Sequence, residues 1–349
     1  MKTTAIICEF NPLHTGHKKL IDYAKAFSDI VICIMSGNFT QRGLPACCDK
    51  YRRAKHAILA GADLVVELPT VFATAAAENF AYGGVAISNE LKVDYLLFGS
   101  ECGDIEQLTD CANKLLNKDV NRQIADEIKK GVSYPKAVAN ALNSPILEKP
   151  NNILAIEYIK ALVRSKSHIT PITITREDNY NGEPIEFASS GAIRADKSLR
   201  QQYTFDYVID DIDDVVENKF GEIATSIIAL KTPDELLQIE GVSEGVENRI
   251  FTADKSHGYS EMLESIKTKR YTRLRLQRII LNAILNVTKD EVKAAKNSDI
   301  AIKALAVKAN ATTLLAKTNG ITDELTQRAD RLYYSISASV PPQKLVKVD

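Results

Sequence analysis

The architecture of this chain can be worked out from one segment near its start, Thr3-Thr4-Ala5-Ile6-Ile7-Cys8-Glu9-Phe10-Asn11-Pro12-Leu13-His14-Thr15-Gly16-His17. The apolar run that ends at Ile7 is short and rich in β-branched residues, and Asn11-Pro12 follows it, which predicts a buried strand that enters a turn. Residues 18–27 then show the apolar spacing of a helix. The segment therefore predicts a strand, a turn and a helix, with two histidines where the helix begins.

The junction between this strand and this helix has the chemistry of a phosphate site. The first turn of a helix leaves backbone N–H groups unpaired and exposes the positive end of the helix dipole, which favours an anion. His14 and His17 are three residues apart and project from one side of a helical turn. Gly16 removes a side chain where a nucleotide would approach the backbone closely. Two surface histidines at a helix start are the alternative, but the strand, the Asn-Pro pair and the glycine together favour a nucleotide site.

Composition narrows the class of protein. A chain of 349 residues with 45% apolar and 26% charged residues is typical of a soluble globular protein with one large domain or two. It shows neither an N-terminal targeting pattern nor an apolar run of membrane-spanning length, so we expect a cytoplasmic protein without membrane contact. The six cysteines include no C-x-x-C pair, and we assign no metal ligand. A net charge of −1 confines any nucleic-acid contact to a local patch.

The rest of the first half alternates strands with helices. Apolar runs at residues 29–35, 64–68, 93–98 and 169–175 are separated by helical patterns, which predicts an α/β fold with a doubly wound parallel sheet over residues 1–200. Ligands of such sheets bind beyond the carboxyl ends of the strands. Residues 201–349 are mainly helical in pattern, with a possible late strand at 301–308 and a helix at 321–337 before a polar tail.

Three polar segments are further candidates. Asn151 and Asn152 follow Pro150 and precede a helical pattern, so they are a plausible N-cap pair. Residues 189–191, Ser-Ser-Gly, open another helix in a shape that suits an anion, although such a start is more often simple capping. Residues 267–278 hold six basic residues and no acidic one: Lys267, Lys269, Arg270, Arg273, Arg275 and Arg278. A solvated helix face is the ordinary explanation of such a run, and contact with nucleic acid is the alternative.

Several of these segments resemble, in this order, the bacterial tRNA(Met) cytidine acetate ligase family, within the nucleotidyltransferase superfamily related to class I aminoacyl-tRNA synthetases. The H-x-G-H pattern is the superfamily's signature, and the longer match of residues 35–43 makes the resemblance specific. The matching segments cover most of the chain: residues 9–17 (EFNPLHTGH), 35–43 (MSGNFTQRG), 63–69 (DLVVELP), 98–101 (FGSE), 150–154 (PNNIL), 176–178 (RED) and 271–274 (YTRL).

The resemblance implies an activity. Members of that family use ATP to activate acetate as acetyl-adenylate and pass the acetyl group to N4 of the wobble cytidine of elongator tRNA(Met). It implies a Rossmann-like nucleotidyltransferase domain and a tRNA substrate, and the six basic residues of 267–278 in the mainly helical half are our candidates for contact with that tRNA. His14 and His17 would stabilise charge developing on the phosphates, and Mg²⁺ is expected without assigned ligands. The residues implied to bind ATP are Ile7, Cys8, Glu9, Phe10, Asn11, Pro12, Leu13, His14, Thr15, Gly16, His17, Lys18, Lys19, Leu20, Gly99, Asn152 and Arg176.

Two other classes of function share the first motif. A small-molecule adenylyltransferase would use the same strand, turn and helix, but the long helical half and its basic segment argue against it. A non-catalytic nucleotide-sensing or RNA-binding protein is the second alternative, and the presence of both histidines argues against that. The sequence gives no indication of oligomeric state.

Overall fold

The computed structural model describes residues 1–130, 132, 134–142, 144–175, 188–243, 245–342 and 345–349. Within them, seven strands form a single sheet. The strands are Thr3–Cys8 (β1), Ile30–Ser36 (β2), Leu64–Leu68 (β3), Tyr95–Ser100 (β4), Thr170–Thr175 (β5), Ala304–Lys308 (β6) and Val346–Val348 (β7).

Helices connect the strands and make up most of the second half of the chain. They are Thr15–Phe27 (α1), Lys50–Leu59 (α2), Thr70–Ala73 (α3), Ala77–Glu90 (α4), Ile105–Leu116 (α5), Lys118–Lys129 (α6), Tyr134–Leu142 (α7), Pro150–Arg164 (α8), Ser190–Ala195 (α9), Lys197–Tyr203 (α10), Asp206–Ile209 (α11), Val216–Ala229 (α12), Pro233–Gln238 (α13), Val246–Thr252 (α14), Tyr259–Ile266 (α15), Arg273–Leu285 (α16), Lys289–Lys296 (α17) and Glu324–Ile336 (α18). Two 3₁₀ helices cover Pro145–Glu148 and Ala309–Lys317.

The strand order is β5-β4-β1-β2-β3-β6-β7. β1 pairs in parallel with both β2 and β4, and the pairs β2–β3 and β4–β5 are also parallel. The chain therefore runs outwards from β1 to β3 and then crosses to the other side of β1 for β4 and β5. This confirms the predicted doubly wound α/β fold, and it places the point where strand order reverses between β1 and β4.

Helices cover both faces of the sheet because its strands alternate their side chains. On one face, Ile6 of β1 packs in a core with Ile21 of α1 and Ala54 of α2. On the other face, Ile7 joins the larger core, which includes Val85 of α4. Every residue of β1, β2 and β3 is buried, as expected of parallel strands that have helices on both sides.

The C-terminal half returns to the sheet. β6 pairs antiparallel with β3, and β7 pairs in parallel with β6. The expectation of a polar tail is therefore wrong for Val346–Val348, which is too short a strand to leave a periodic pattern. Residues after 200 thus add two strands to the sheet as well as helices. A domain boundary at residue 200 stays a prediction.

A buried ion cluster joins the first and last parts of the fold. Lys50, at the start of α2, is fully buried and donates to both carboxylate oxygens of Glu67 at 2.6 and 2.8 Å and to Asp330 Oδ2 at 2.6 Å. Asn38 donates to the other Asp330 oxygen at 2.9 Å. Burial lowers the pKa of Lys50, but the two carboxylates outweigh it and hold that pKa above its ordinary value. The cluster therefore fixes α18 against β3 and α2.

Candidate active site

The turn between β1 and α1 is held by contacts with distant segments. Asn11 Oδ1 accepts a hydrogen bond from the backbone N–H of Cys47 at 2.8 Å. The Leu13 carbonyl accepts one from the Thr204 hydroxyl at 2.5 Å. Phe10 has a left-handed φ of 46°, which is uncommon for a residue with a side chain. The backbone between strand and helix is therefore fixed by the surrounding structure.

The two histidines form the start of α1. His14 is the N-cap, and its Nδ1 accepts from the backbone N–H of Gly16 at 3.1 Å. His17 Nδ1 accepts from the backbone N–H of His14 at 3.3 Å, and the two ring centroids are 3.7 Å apart. Because each Nδ1 accepts a hydrogen bond, each neutral ring carries its proton on Nε2. Both rings therefore lie at the positive end of the helix dipole. The helix begins three residues earlier than the apolar spacing predicted, because the histidines supply its cap.

A cavity of about 460 Å³ lies at the carboxyl ends of β1 and β4, where strand order reverses. His17, Phe98 and Gly99 of β4, and Tyr158 of α8 line it. Parallel α/β sheets bind their ligands at this place. Its wall combines apolar side chains with charged and polar ones, so it can hold a ligand that has both an apolar and a charged part.

Some of the predicted ATP contacts line this cavity and others do not. Those in its wall are Ile7, Cys8, Glu9, Phe10, Asn11, His17, Leu20 and Gly99. Outside the wall, among the described residues, are Pro12, Leu13, His14, Thr15, Gly16, Lys18, Lys19 and Asn152. Arg176 lies outside the described residues. Contact of any of these residues with ATP stays a prediction.

Asn152 has a structural role next to the cavity. Its Oδ1 accepts from the backbone N–H groups of Glu101 and Cys102 at 2.9 and 3.1 Å, and its Nδ2 donates to the Ile146 carbonyl at 3.0 Å. The Glu101 carboxylate accepts in turn from the N–H groups of Asn151 and Asn152 at 3.1 and 2.7 Å. The expected asparagine N-cap is therefore wrong, because a carboxylate from the loop after β4 caps α8 instead. Asn152 and Glu101 together fix the loop that borders the cavity.

Three arginines that the sequence did not assign to ATP line the same cavity: Arg42, Arg194 and Arg278. Arg194 Nη1 donates to the Asn11 carbonyl at 2.5 Å and to the Ser190 carbonyl at 3.3 Å. Arg278 Nη1 lies 3.4 Å from the Gln41 carbonyl. Arginine is well suited to phosphate oxygens because of its planar set of donors. Arg194 follows the Ser-Ser-Gly segment that was noted as an anion-binding shape, so extending that motif to its arginine would have found it.

A fourth arginine, Arg53 of α2, supports the site from behind. It is fully buried and donates to the carbonyls of Glu9 at 2.6 Å, Ser36 at 3.2 Å, Cys48 at 3.0 Å and Gly37. These carbonyls follow β1 and β2 or precede α2. Arg53 thereby ties the segments after two adjacent strands to one helix.

The basic residues do not form a single surface. A continuous helix over 267–278 is wrong, because α16 begins at Arg273 and the Thr272 side chain caps it. Lys267 and Arg273 both pair with Glu264, at 3.0 Å each. The guanidinium of Arg275 lies 4.3 Å from the centroid of the Tyr271 ring.

The remaining basic residues divide between solvent and cavity. Lys269 and Arg270 are exposed in the loop before α16. Arg278 points into the cavity wall instead, where burial lowers the pKa of its guanidinium. Contact of the six residues with tRNA stays a prediction.

A larger cavity of about 740 Å³ lies elsewhere, between α4, α8 and residues 295–302 and 316–319. Asn89, Glu90 and Ser165 in its wall belong to the C-terminal ends of α4 and α8. In a parallel sheet those helix ends lie opposite the carboxyl ends of the strands, away from the usual ligand edge.

The described residues hold no group of three or more His, Cys, Asp or Glu side chains placed to bind a metal ion. None of the helices built from them is long and apolar enough to cross a membrane.

Known proteins match both the sequence and the fold. Residues 1–331 match the family model described as HIGH Nucleotidyl Transferase. A tRNA(Met) cytidine acetate ligase of Acetivibrio thermocellus is 40% identical over 334 residues, covering 86% of this chain and 80% of that protein. One of Clostridium perfringens is 38% identical over 339 residues, covering 87% and 84%. The crystal structure of Thermotoga maritima TmcAL bound with alpha-thio ATP superimposes with a TM-score of 0.84 at 29% identity, covering 97% of this chain and 96% of that one. The chain therefore belongs to the HIGH nucleotidyl transferases and, among them, to the tRNA(Met) cytidine acetate ligase family.

Proposed function

We propose that this chain uses ATP to convert acetate to acetyl-adenylate and transfers the acetyl group to N4 of the wobble cytidine of elongator tRNA(Met). The observation that carries the proposal is the cavity where strand order reverses, with His17 of the first turn of α1 in its wall. The relatives that cover most of this chain bear the name of that activity, and the T. maritima neighbour binds an ATP analogue.

The reaction has two steps. An acetate oxygen attacks the α-phosphorus of ATP, a new O–P bond forms, and the bond to the β-phosphate breaks to release pyrophosphate. The N4 amine of cytidine then attacks the acetyl carbon, the C–O bond to AMP breaks, and the amine loses one proton. Acetate needs this activation because its own oxygen is a poor leaving group, whereas AMP is a good one.

The residues of the cavity suit the first step. Negative charge grows on the phosphates as pyrophosphate departs, and donors fixed in advance lower its cost. His17 lies in the cavity wall at the helix start, where the dipole adds to the effect of its ring, and His14 caps the same helix. Arg194 and Arg278 approach the cavity from two other elements and supply positive charge without moving into place.

Magnesium is part of the proposal in a limited sense. The described residues offer no carboxylate cluster for a dedicated site. Mg²⁺ commonly keeps most of its waters and binds substrate phosphates with one or two carboxylates. We therefore assign the ion to the ATP phosphates, where it would neutralise the departing pyrophosphate, and we name no protein ligand.

The exposed part of the basic segment is our proposed tRNA contact. Lys269 and Arg270 lie just before α16, and Arg275 lies on its first turn. Cations of this kind bind the phosphate backbone and position a nucleic acid without reading its sequence. Both substrates and the six free cysteines suit a reducing cytoplasm, which we propose as the location.

The test is exchange of labelled pyrophosphate into ATP, with and without acetate, followed by nucleoside analysis of tRNA(Met) for N4-acetylcytidine. Acetate-dependent exchange without tRNA, and acetylation with it, are the expected results. Exchange that depends on another acid would indicate a small-molecule adenylyltransferase. No exchange with any acid, together with retained ATP binding, would indicate a nucleotide-binding protein.

A further inference from the structure

Two carboxylates line the cavity, and they differ in what holds them. Both oxygens of Glu101 accept from the start of α8, one from the backbone N–H of Asn152 and the other from the backbone and side-chain nitrogens of Asn151. Glu9 Oε1 accepts from the backbone N–H of Gln41 at 2.6 Å. Among the described residues that N–H is the single hydrogen-bond donor to the Glu9 carboxylate. Glu9 therefore has one oxygen without a donor among the described residues, whereas both oxygens of Glu101 already accept.

The surroundings of Glu9 include charged and titratable groups from several elements. Burial raises the pKa of the Glu9 carboxyl, while the Gln41 N–H and the charges of Arg53, Arg42 and Arg194 oppose that rise. The net direction is upward. A carboxylate whose pKa lies closer to neutrality is a better proton acceptor.

Two neutral groups complete these surroundings. Cys8 precedes Glu9 on β1, and Tyr158 faces both from α8. Burial raises the pKa of the Cys8 thiol and of the Tyr158 hydroxyl well above their ordinary values, so both stay protonated near neutral pH. Glu9 is therefore the one group of this set that can take up a proton there.

Proton balance assigns such a group to one step only. Acetate is already ionised near neutral pH, so formation of acetyl-adenylate requires no base. The N4 amine of cytidine must lose a proton when it becomes an amide. Phosphate oxygens of AMP are the competing acceptor, but they leave with the product.

We propose that Glu9 is the general base of acetyl transfer, accepting through its second carboxylate oxygen the proton that leaves cytidine N4. In that step the N–C bond forms, the C–O bond to AMP breaks, and the proton passes from N4 to Glu9. The inference rests on the proposed function, because it needs an amine substrate as acceptor of the acetyl group. The hydrogen bond from Gln41 orients the carboxylate, and Arg53 holds the backbone of Glu9 itself.

The experiment separates the two steps in a Glu9→Gln variant, whose amide oxygen can still accept from Gln41. Single-turnover transfer from preformed acetyl-adenylate to tRNA(Met) should fall by about 10² or more. That loss should be far larger than any loss of acetate-dependent pyrophosphate exchange measured on the same preparation. The parent's transfer rate should fall as pH drops and Glu9 becomes protonated. This decrease at low pH, the acidic limb of the pH profile, should be missing from the variant's transfer rate and from the parent's exchange rate.

Each other outcome overturns the assignment. Equal losses of exchange and transfer would make Glu9 an ATP-positioning residue. An unchanged transfer rate, or an acidic limb that persists in the variant, would show that a phosphate oxygen of AMP and not Glu9 accepts the proton. If Glu9→Gln does not fold, the two pH profiles of the parent decide alone, because a limb common to both steps contradicts a transfer-specific base. A parent that forms no N4-acetylcytidine would overturn the proposed function and this inference with it.

Discussion

Gly43 joins the loop after β2 to α16, and replacing it should cost both stability and ATP affinity. Its φ is +74°, and an added Cβ would lie 2.6 Å from the Arg278 nitrogen and 2.6 Å from the Gln277 carbonyl carbon. These are backbone atoms, so a rotamer change cannot relieve the contact. Gly320 has a similar φ of +69°, but an added Cβ would meet nothing within 4 Å. Alanine variants of Gly43 and Gly320 therefore share the backbone strain, and only the Gly43 variant adds steric overlap.

The losses of stability in Gly43→Ala and Gly320→Ala should differ only by the cost of the steric overlap. A left-handed alanine costs about 1–2 kcal/mol, so Gly320→Ala should lower the free energy of unfolding by about that much. Overpacking adds about 1–3 kcal/mol where the surroundings cannot yield, so Gly43→Ala should lower it by about 2–5 kcal/mol. Urea unfolding of both variants measures the difference. Because the overlap lies at Arg278 in the cavity wall, Gly43→Ala should also raise the KM for ATP in pyrophosphate exchange, and Gly320→Ala should not. Equal losses of stability, or an unchanged KM in both, would refute the close packing of the loop on α16.

The remaining predictions concern the site and its supports. His17→Ala should lower acetate-dependent exchange by about 10² or more without loss of folding, as removal of one fixed donor does, and near-normal exchange would contradict its role. Lys50→Met should destabilise the fold by about 3–5 kcal/mol, because it leaves the carboxylates of Glu67 and Asp330 facing each other without their cation. In the parent, the stabilisation from Lys50 is present below the ordinary lysine pKa and is lost as pH rises through the higher pKa of the folded state. Urea unfolding over a pH series measures this loss. Replacing Lys269 and Arg270 together by Gln should weaken tRNA binding and flatten its salt dependence by about one unit of slope per lost contact. Pyrophosphate exchange should not change in that double variant. Arg278→Gln should instead raise the KM for ATP. Unchanged tRNA affinity over a salt series would make the exposed basic loop an ordinary solvated surface.

The central sheet was predictable because its signals are local. The apolar runs of β1 to β5 are continuous and separated by helical patterns, which predicts a parallel sheet with helices on both faces. The start of α1 could also be predicted, because the strand, the turn, the glycine and the two histidines lie within fifteen residues. β7 is three residues long and gave no pattern. The antiparallel pairing of β6 with β3 joins segments far apart in sequence, which no local signal encodes.

The site was predictable where one motif carries it and not where separate segments meet. His17 comes soon after β1 and Gly99 lies at the end of β4, so their place at the carboxyl edge could be inferred. Asn152 looked like a capping or ATP-binding residue, and only the fold shows that its amide is used by the loop after β4. Arg278 belongs to a run of similar cations, so the sequence does not single it out. Helical periodicity indicates that one side of α16 is buried, but it does not show which segment packs against that side.

The position of α16 connects the two halves of the proposed reaction. Arg278 lies in the cavity wall, Arg275 lies one turn earlier, and Lys269 and Arg270 are exposed just before the helix. Arg275 and Arg278 are separated by about 4.5 Å along the helix axis. A nucleic acid that contacts the exposed cations therefore lies near the cavity, where acetyl-adenylate would be held. Gly43 fixes the same helix to the loop that carries Gln41, the donor to Glu9. Displacing that loop should then disturb ATP binding and orientation of the proposed base together, whereas loss of the exposed cations should affect tRNA alone.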